Sequence, residues 1–148
     1  MSSHPVAAHE VGEAYLDLHH QLHRICDQAM GAAGLTLARA KVLNRLDDMG
    51  PMNQATLAGL LGHAPRSVTE TVDALERDGL VARTSDENDR RARIVALTDA
   101  GRDASEAARV VRAKVMDEIF GSLSATERAS FAALLTRVRT QLSVGERQ

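Results

Sequence analysis

Three groups of side chains in this sequence could do chemistry. The first is His19, His23 and Cys26, spaced i, i+4, i+7 on one face of a helical stretch. Imidazole and thiolate are ligands for zinc and related transition ions. A thiolate alone could sense an oxidant. One rigid helix suits such an ion poorly, because i and i+7 are separated by about 10.5 Å of rise. An ion would take one neighbouring pair and need ligands from elsewhere, and no CxxC or second clustered histidine pair supplies them. The plainer reading is a buried small thiol beside partly exposed histidines. The second group is Arg66, Ser67, Thr69 and Glu70, at the start of PRSVTETVDALER. A guanidinium there can bond guanine O6 and N7 together, and a carboxylate can accept from cytosine N4. The third is Asp89, Arg90, Arg91 and Arg93, in a polar stretch after Arg83. An arginine on a hairpin tip can enter a narrow minor groove, where the potential is most negative. Enzyme chemistry is not expected. There is no glycine-rich phosphate loop, no carboxylate pair set apart by its surroundings, and no base and orienting group to serve Cys26.

The elements that must position these groups are mostly helices. Val68, Val72 and Leu75 fall at i, i+4, i+7 and form one apolar face. At about 100° per residue, Arg66, Glu70, Asp73 and Arg77 point away from it, with Ser67 and Thr69 on the flanks. Pro65 suits a first helical position. Ala64 before it offers no capping side chain, so the helix-start N–H groups stay available to a phosphate. Gly62 marks a tight turn after a short helix, residues 54–61, which carries Leu57, Leu60 and Leu61 and is capped by Asn53. Two short helices joined by a glycine-bearing turn are a helix-turn-helix. Gly79 ends the second. Residues 80–83 and 93–97 then read as strands around a polar tip, 84–92.

Elsewhere a helix is expected from about His9 to Met30. Its apolar row Val11, Tyr15, Leu18, Leu22, Ile25, Ala29 steps by 4, 3, 4, 3, 4, the spacing of a seam that needs a partner helix. Gly31 and Gly34 break the chain. Thr36 then caps a helix to Met49 that buries Val42, Leu43 and Leu46. Gly50-Pro51 ends it, and Met52 is expected in a one- or two-residue strand. Thr98 caps a long helix to about Phe120, striped by Ala104, Ala107, Ala108, Val111, Val115 and Ile119. Ser124-x-x-Glu127 is a capping box for a last helix to about Leu142. That helix presents Phe131, Leu134, Leu135, Val138 and Leu142 on one face. The stripes on the first and last helices exceed what one small domain can cover, so an intertwined homodimer is expected.

The run LAGLLGHAPRSVTETVDALERDGLVARTSDENDRRARIVALTDAG resembles the signature of the MarR family of bacterial transcriptional regulators. The most specific part is Asp89-x-Arg91, then Val95-x-Leu97-Thr98 and Gly101. Helix order and length extend the resemblance over nearly the whole chain. It implies a mostly α winged helix-turn-helix with a small β-hairpin wing. The chain, 1–148, would be a single domain of this type. Dimerisation helices would lie at about 9–30 and 98–142, with a DNA-binding part at about 36–97.

The resemblance also assigns partners and roles. Positions matching Ser67, Thr69 and Glu70 lie in the part that contacts double-stranded DNA, and Arg91 is the wing arginine. Arg66, Arg90 and Arg93 are added as DNA-binding candidates by placement. Asp89 is expected to hold the wing in shape through an ion pair with Arg83. The implied protein is a homodimeric regulator, most often a repressor, released from a pseudo-palindromic operator by a small effector. That effector is often an aromatic or phenolic anion, for which His20, His23 and Arg39 are candidate contacts. Two alternatives stay open: a metal- or redox-responsive regulator using His19, His23 and Cys26, and a winged-helix module that binds protein.

Composition constrains this reading without carrying it. The 148 residues suit one compact domain, and an aromatic content of 2% suits packed helices better than a sandwich. Net charge is −2, and between His63 and Arg93 six arginines meet seven acidic residues, so any DNA contact must come from local placement of charge. One cysteine excludes an internal disulfide. The first fifteen residues do not read as a signal peptide, and no run approaches the roughly 20 apolar residues of a membrane span, so a cytoplasmic protein is expected. No cofactor and no metal are expected. Metal analysis of the purified protein should find no stoichiometric zinc, and Cys26→Ser should leave DNA binding intact. About one ion per subunit, with DNA release on chelation, would make the protein a metal sensor instead.

Overall fold

The computed structural model describes residues 4–145. Its elements run α1 (Ala8–Ala32), α2 (Leu37–Met49), β1 (Met52–Asn53), α3 (Gln54–Leu61), α4 (Pro65–Arg77), β2 (Val81–Ser85), β3 (Arg93–Leu97), α5 (Asp99–Phe120) and α6 (Ala125–Gly145). They fall into two compact units, Met1–Arg112 and Ala113–Gln148.

In the first unit the starts of α2 and α3 are set by side chains. Thr36 Oγ1 accepts from the Arg39 N–H at 3.1 Å, and Asp27 Oδ1 on α1 accepts from the Leu37 N–H at 2.9 Å. Asn53 Oδ1 accepts from the Thr56 N–H at 2.7 Å. Each cap satisfies a donor that the helix geometry leaves over, an effect of about 1 kcal/mol. The α4 start has Pro65 at its first position and no side-chain cap. Its end is a two-bond closure: Leu80 N–H donates to Leu75 O (2.9 Å) and Gly79 N–H to Glu76 O (3.0 Å). The closure needs a left-handed residue, and Gly79 has φ +74°.

The core of this unit draws on α1, α2, α3, α4 and β3. Met30, Leu43, Leu57, Leu75, Val42, Val68, Val72 and Val95 are fully buried, each such burial contributing about 1.5–3 kcal/mol. The sheet order is β1-β3-β2, antiparallel throughout, with Met52 opposite Val95 and Arg83 opposite Val95 from the other side. The strand after α4 runs 81–85 rather than 80–83. Leu80 gives its N–H to the α4 closure, while Thr84 and Ser85 find partners in Ile94 and Arg93.

The start of α5 locks onto the α4–β2 corner. Thr98 N–H donates to Leu80 O at 3.1 Å, Thr98 Oγ1 donates to Gly79 O at 2.7 Å, and Gly101 N–H donates to Thr98 Oγ1 at 3.0 Å. Further along, Ser105 is completely buried, its Oγ 2.8 Å from Asn44 Oδ1 and 3.2 Å from Asp47 Oδ2. Arg109 donates to Asn44 O (3.2 Å) and Asp48 Oδ1 (2.6 Å). The buried row at the start of α5 is therefore Gly101, Ser105, Ala108. Ala107, expected in the stripe, is exposed. An apolar count favours alanine over serine, but the serine hydroxyl has acceptors on α2.

In the second unit the box at the start of α6 is closed in both directions. Ser124 N–H donates to Glu127 Oε2 (2.7 Å) and Glu127 N–H to Ser124 Oγ (3.2 Å). Phe120 and Phe131 pack with ring centroids 6.1 Å apart. No described residue of α6 is buried.

Gly101 yields a sharp test. A Cβ built there would sit 1.9 Å from Leu80 O, a backbone atom that cannot swing away. Gly101→Ala should cost at least the 1–3 kcal/mol usual for overpacking, read as a lower urea midpoint. Gly59→Ala, in open space within α3, should cost nothing. An unchanged midpoint for Gly101→Ala would show that the corner is loose.

Candidate nucleic-acid interface

One side of α4 is sealed and the other is open. Val68, Val72 and Leu75 are at most 1% exposed, while Arg66, Ser67, Thr69 and Glu70 all face solvent. Arg66 and Glu70 pair across one helical turn, Nε to Oε1 at 3.4 Å, both more than two-thirds exposed. Such a pair contributes only about 0.3–0.5 kcal/mol, so it yields readily to a stronger partner. Thr69 is more constrained. Its hydroxyl donates to Pro65 O (3.0 Å) and accepts from Gln54 Nε2 (2.7 Å).

The wing is anchored to α4 through Arg83. Its NH2 lies 2.6 Å from Asp73 Oδ1 and its NH1 3.3 Å from Glu76 Oε1. Arg83 N–H donates to Glu76 Oε2 at 3.1 Å, and Nε donates to Gln54 Oε1 at 3.1 Å. The side chain is only 14% exposed. A planar five-donor group suits such divided pairing better than an ammonium would.

The Asp89–Arg83 ion pair expected from sequence is not formed. Arg83 turns to the α4 carboxylates, and Asp89 Oδ1 accepts from the Arg91 backbone N–H at 2.9 Å. Asp86 does the same for the Asn88 N–H at 3.0 Å. Asp86 N–H to Ala92 O and Ala92 N–H to Asp89 O complete the tip. Aspartate bonding a backbone donor two residues on is a local turn device and needs no cation. The tip leaves Arg90, Arg91 and Arg93 exposed. Among the described residues none of the three forms an ion pair.

The other candidates divide differently. Arg39 NH1 pairs with Asp78 Oδ2 at 3.0 Å, tying α2 to the end of α4. His20 and His23 lie exposed on α1, their rings 6.0 and 6.4 Å from that of His19, which stacks on Tyr15 at 6.2 Å. The structure records no contact joining Arg39 to these histidines. Cys26 is 3% exposed, whereas His19 and His23 are open, because burial along α1 begins only at Cys26. Among the described residues no three His, Cys, Asp or Glu side chains are grouped to hold a metal.

Sequence reasoning missed Gln54, Asp73 and Glu76. Two carboxylates three residues apart on one helix, followed by an arginine in the next strand, were a readable signal of charge complementarity. The amide of Gln54 gave none. These contacts separate two substitutions. Arg83→Ala leaves Asp73 and Glu76 facing each other and should cost about 1–3 kcal/mol. Asp89→Ala loses one exposed turn bond and should cost about 1 kcal/mol or less. Urea unfolding of the two variants measures the difference, and equal losses would restore an Asp89–Arg83 link.

Residues 35–92 match the family model described as MarR family. Among curated relatives, the HTH-type transcriptional regulator YcgE of Bacillus subtilis is 38% identical over 96 residues, 64% of this chain and 60% of that protein. The HTH-type transcriptional repressor MdtR of the same organism is 28% identical over 121 residues, 82% of this chain and 78% of that one. The chain spans 54% to 67% of the length of the first curated relatives it matches. Among solved structures, a mutant MarR from E. coli complexed with operator DNA aligns with TM-score 0.76 at 25% identity, covering 86% of this chain and 92% of that one. BpsR of Bordetella bronchiseptica, whose DNA binding is regulated by 6-hydroxynicotinic acid, aligns with TM-score 0.77 at 25% identity, covering 88% and 98%. Family match, curated relatives and the shared six-helix, three-strand fold point the same way: over residues 35–92 and in its fold the chain is similar to winged helix-turn-helix transcriptional regulators of the MarR family.

Proposed function

We propose that this protein is a homodimeric, sequence-specific DNA-binding repressor that leaves a pseudo-palindromic operator when a small effector binds. The observation that carries the reading is the open polar face of α4, backed by a fully buried apolar face and braced against an arginine-bearing wing. Arg66, Ser67, Thr69 and Glu70 would enter the major groove, with half-sites roughly 34–36 Å apart on one DNA face. Arg91 would enter the adjacent minor groove, and Arg90 and Arg93 would approach phosphates. Likeness to a relative held on operator DNA supports this, and likeness to a named repressor supports the sign of regulation.

Dimerisation is proposed from uncovered apolar surface. On α1, Val11 and Tyr15 are 58% and 52% exposed; on α6, Val138 and Leu142 are 62% and 67% exposed. Each row is continuous at helical spacing, unlike the scattered apolar residues of an ordinary surface. The effector would be a small aromatic or phenolic anion, with His20, His23 and Arg39 as candidate contacts, a chemistry supported by the aromatic acid that regulates BpsR. No helix among the described residues is long and apolar enough to cross a membrane, and the proposed site of action is the cytoplasm.

Sedimentation at micromolar concentration should give about 32 kDa, twice the chain mass of 15.9 kDa; a folded monomer would sink the dimer. Selection from random duplex DNA should return an inverted repeat. Arg91→Ala should weaken binding without lowering thermal stability, with the largest loss on A·T-rich flanks, where the minor groove is narrow. Arg66→Ala should relax preference at one position per half-site, by about 1–3 kcal/mol. Binding by both variants equal to wild type would remove these residues from the interface.

A further inference from the structure

Gln54 has no place among the DNA contacts proposed above, yet its side chain lies between the two elements that would read DNA. It is the first residue of α3, half-buried. Its Nε2 donates to Thr69 Oγ1 on α4, and its Oε1 accepts from Arg83 Nε on β2. Only one orientation of the amide works. Turned over, the NH₂ would meet the Arg83 N–H, donor against donor. The oxygen would meet a threonine hydroxyl whose one proton is already on Pro65 O.

We infer that Gln54 is a positioning residue for DNA recognition: it fixes the Thr69 hydroxyl as an acceptor and ties it to the wing through Arg83. The inference rests on the DNA-binding reading. Its chemical content is specific. With its proton on Pro65 O and one lone pair on Gln54, the Thr69 hydroxyl keeps one lone pair and no proton. Such a group can take a hydrogen bond from an amino edge, adenine N6 or cytosine N4. It cannot donate to a phosphate, to guanine O6 or N7, or to thymine O4. The same amide makes the helix and wing one reading head, because Gln54 cannot shift toward Thr69 without leaving Arg83.

Three variants test this, each assayed on the full chain against duplex pools: Gln54→Ala, Gln54→Glu and Thr69→Val. Thermal melting is recorded for each. Wild type should prefer adenine or cytosine at one position per half-site, by roughly tenfold over guanine or thymine. Thr69→Val should lose that preference. Gln54→Ala should lose much of it while affinity for random DNA and the salt slope stay at wild-type values, since no phosphate contact is removed. Gln54→Glu keeps an acceptor for Arg83 but has no donor for Thr69, so it should lose the preference as well. If Gln54→Ala fails to fold, Gln54→Glu carries the test. In a double-mutant cycle the Gln54→Ala loss at that position should vanish in the Thr69→Val background; a residue serving only the fold would give the same loss in both. Unchanged base preference in a folded Gln54 variant overturns the inference alone, as does a wild-type preference for guanine or thymine opposite Thr69. A wild type that selects no sequence overturns the DNA-binding reading together with it.

Discussion

The winged part depends on where the Arg83 guanidinium sits. It is a largely buried cation on β2, an edge strand of the three-stranded sheet, and it ties that edge to the helices beside it. Two carboxylates from α4 and one amide from α3 take its donors. Desolvating a charge is costly unless its partners are well placed. The arrangement therefore works only with α3, α4 and β2 in one relation. The partners are themselves 52% and 43% exposed, which keeps the desolvation modest and the geometry decisive.

A second constraint complements the first. The corner between α4 and β2 is closed by Gly79, and its carbonyls are taken up by Thr98 and crowded by Gly101. The threonine and glycine three residues apart that end the family-like signature thus have a physical reason. The threonine satisfies carbonyls left over by the α4 closure, and the glycine lets α5 approach the backbone where any side chain would collide. Arg83 holds the front of the wing's first strand and this corner holds its back.

Much of this was legible in the sequence because it is local. Thr36, Asn53, Pro65, Gly79 and the Ser124–Glu127 box act within a few residues, and each sets an element end where spacing and residue type put it. The strand 93–97 was legible for the same reason. The errors are tertiary. Asp89 and Arg83 looked like partners because both flank the hairpin, but Arg83 lies beside α4, which offers two carboxylates and an amide. Ser105 was passed over for Ala107 because burial of a hydroxyl makes sense only once Asn44 and Asp47 are seen opposite. Cys26 and the histidines share a face by spacing yet not an environment, because the core reaches α1 only near its end. The open face of α4 was readable from periodicity; the tie that holds Thr69 was not, because a glutamine at a helix start has no pattern.

The Ser105 contact also bears on how α5 can be placed at all. A helix resting on smooth apolar residues can slide by one turn, about 5.4 Å, and find similar packing. Here a slide in either direction would strand a buried hydroxyl and withdraw Arg109 from Asn44 and Asp48, leaving polar groups buried without partners. The α2–α5 seam is therefore keyed: it admits one axial position. Any rearrangement of this unit must pivot α5 about Ser105 or break the key outright, and gradual shear along the helix axis is closed to it.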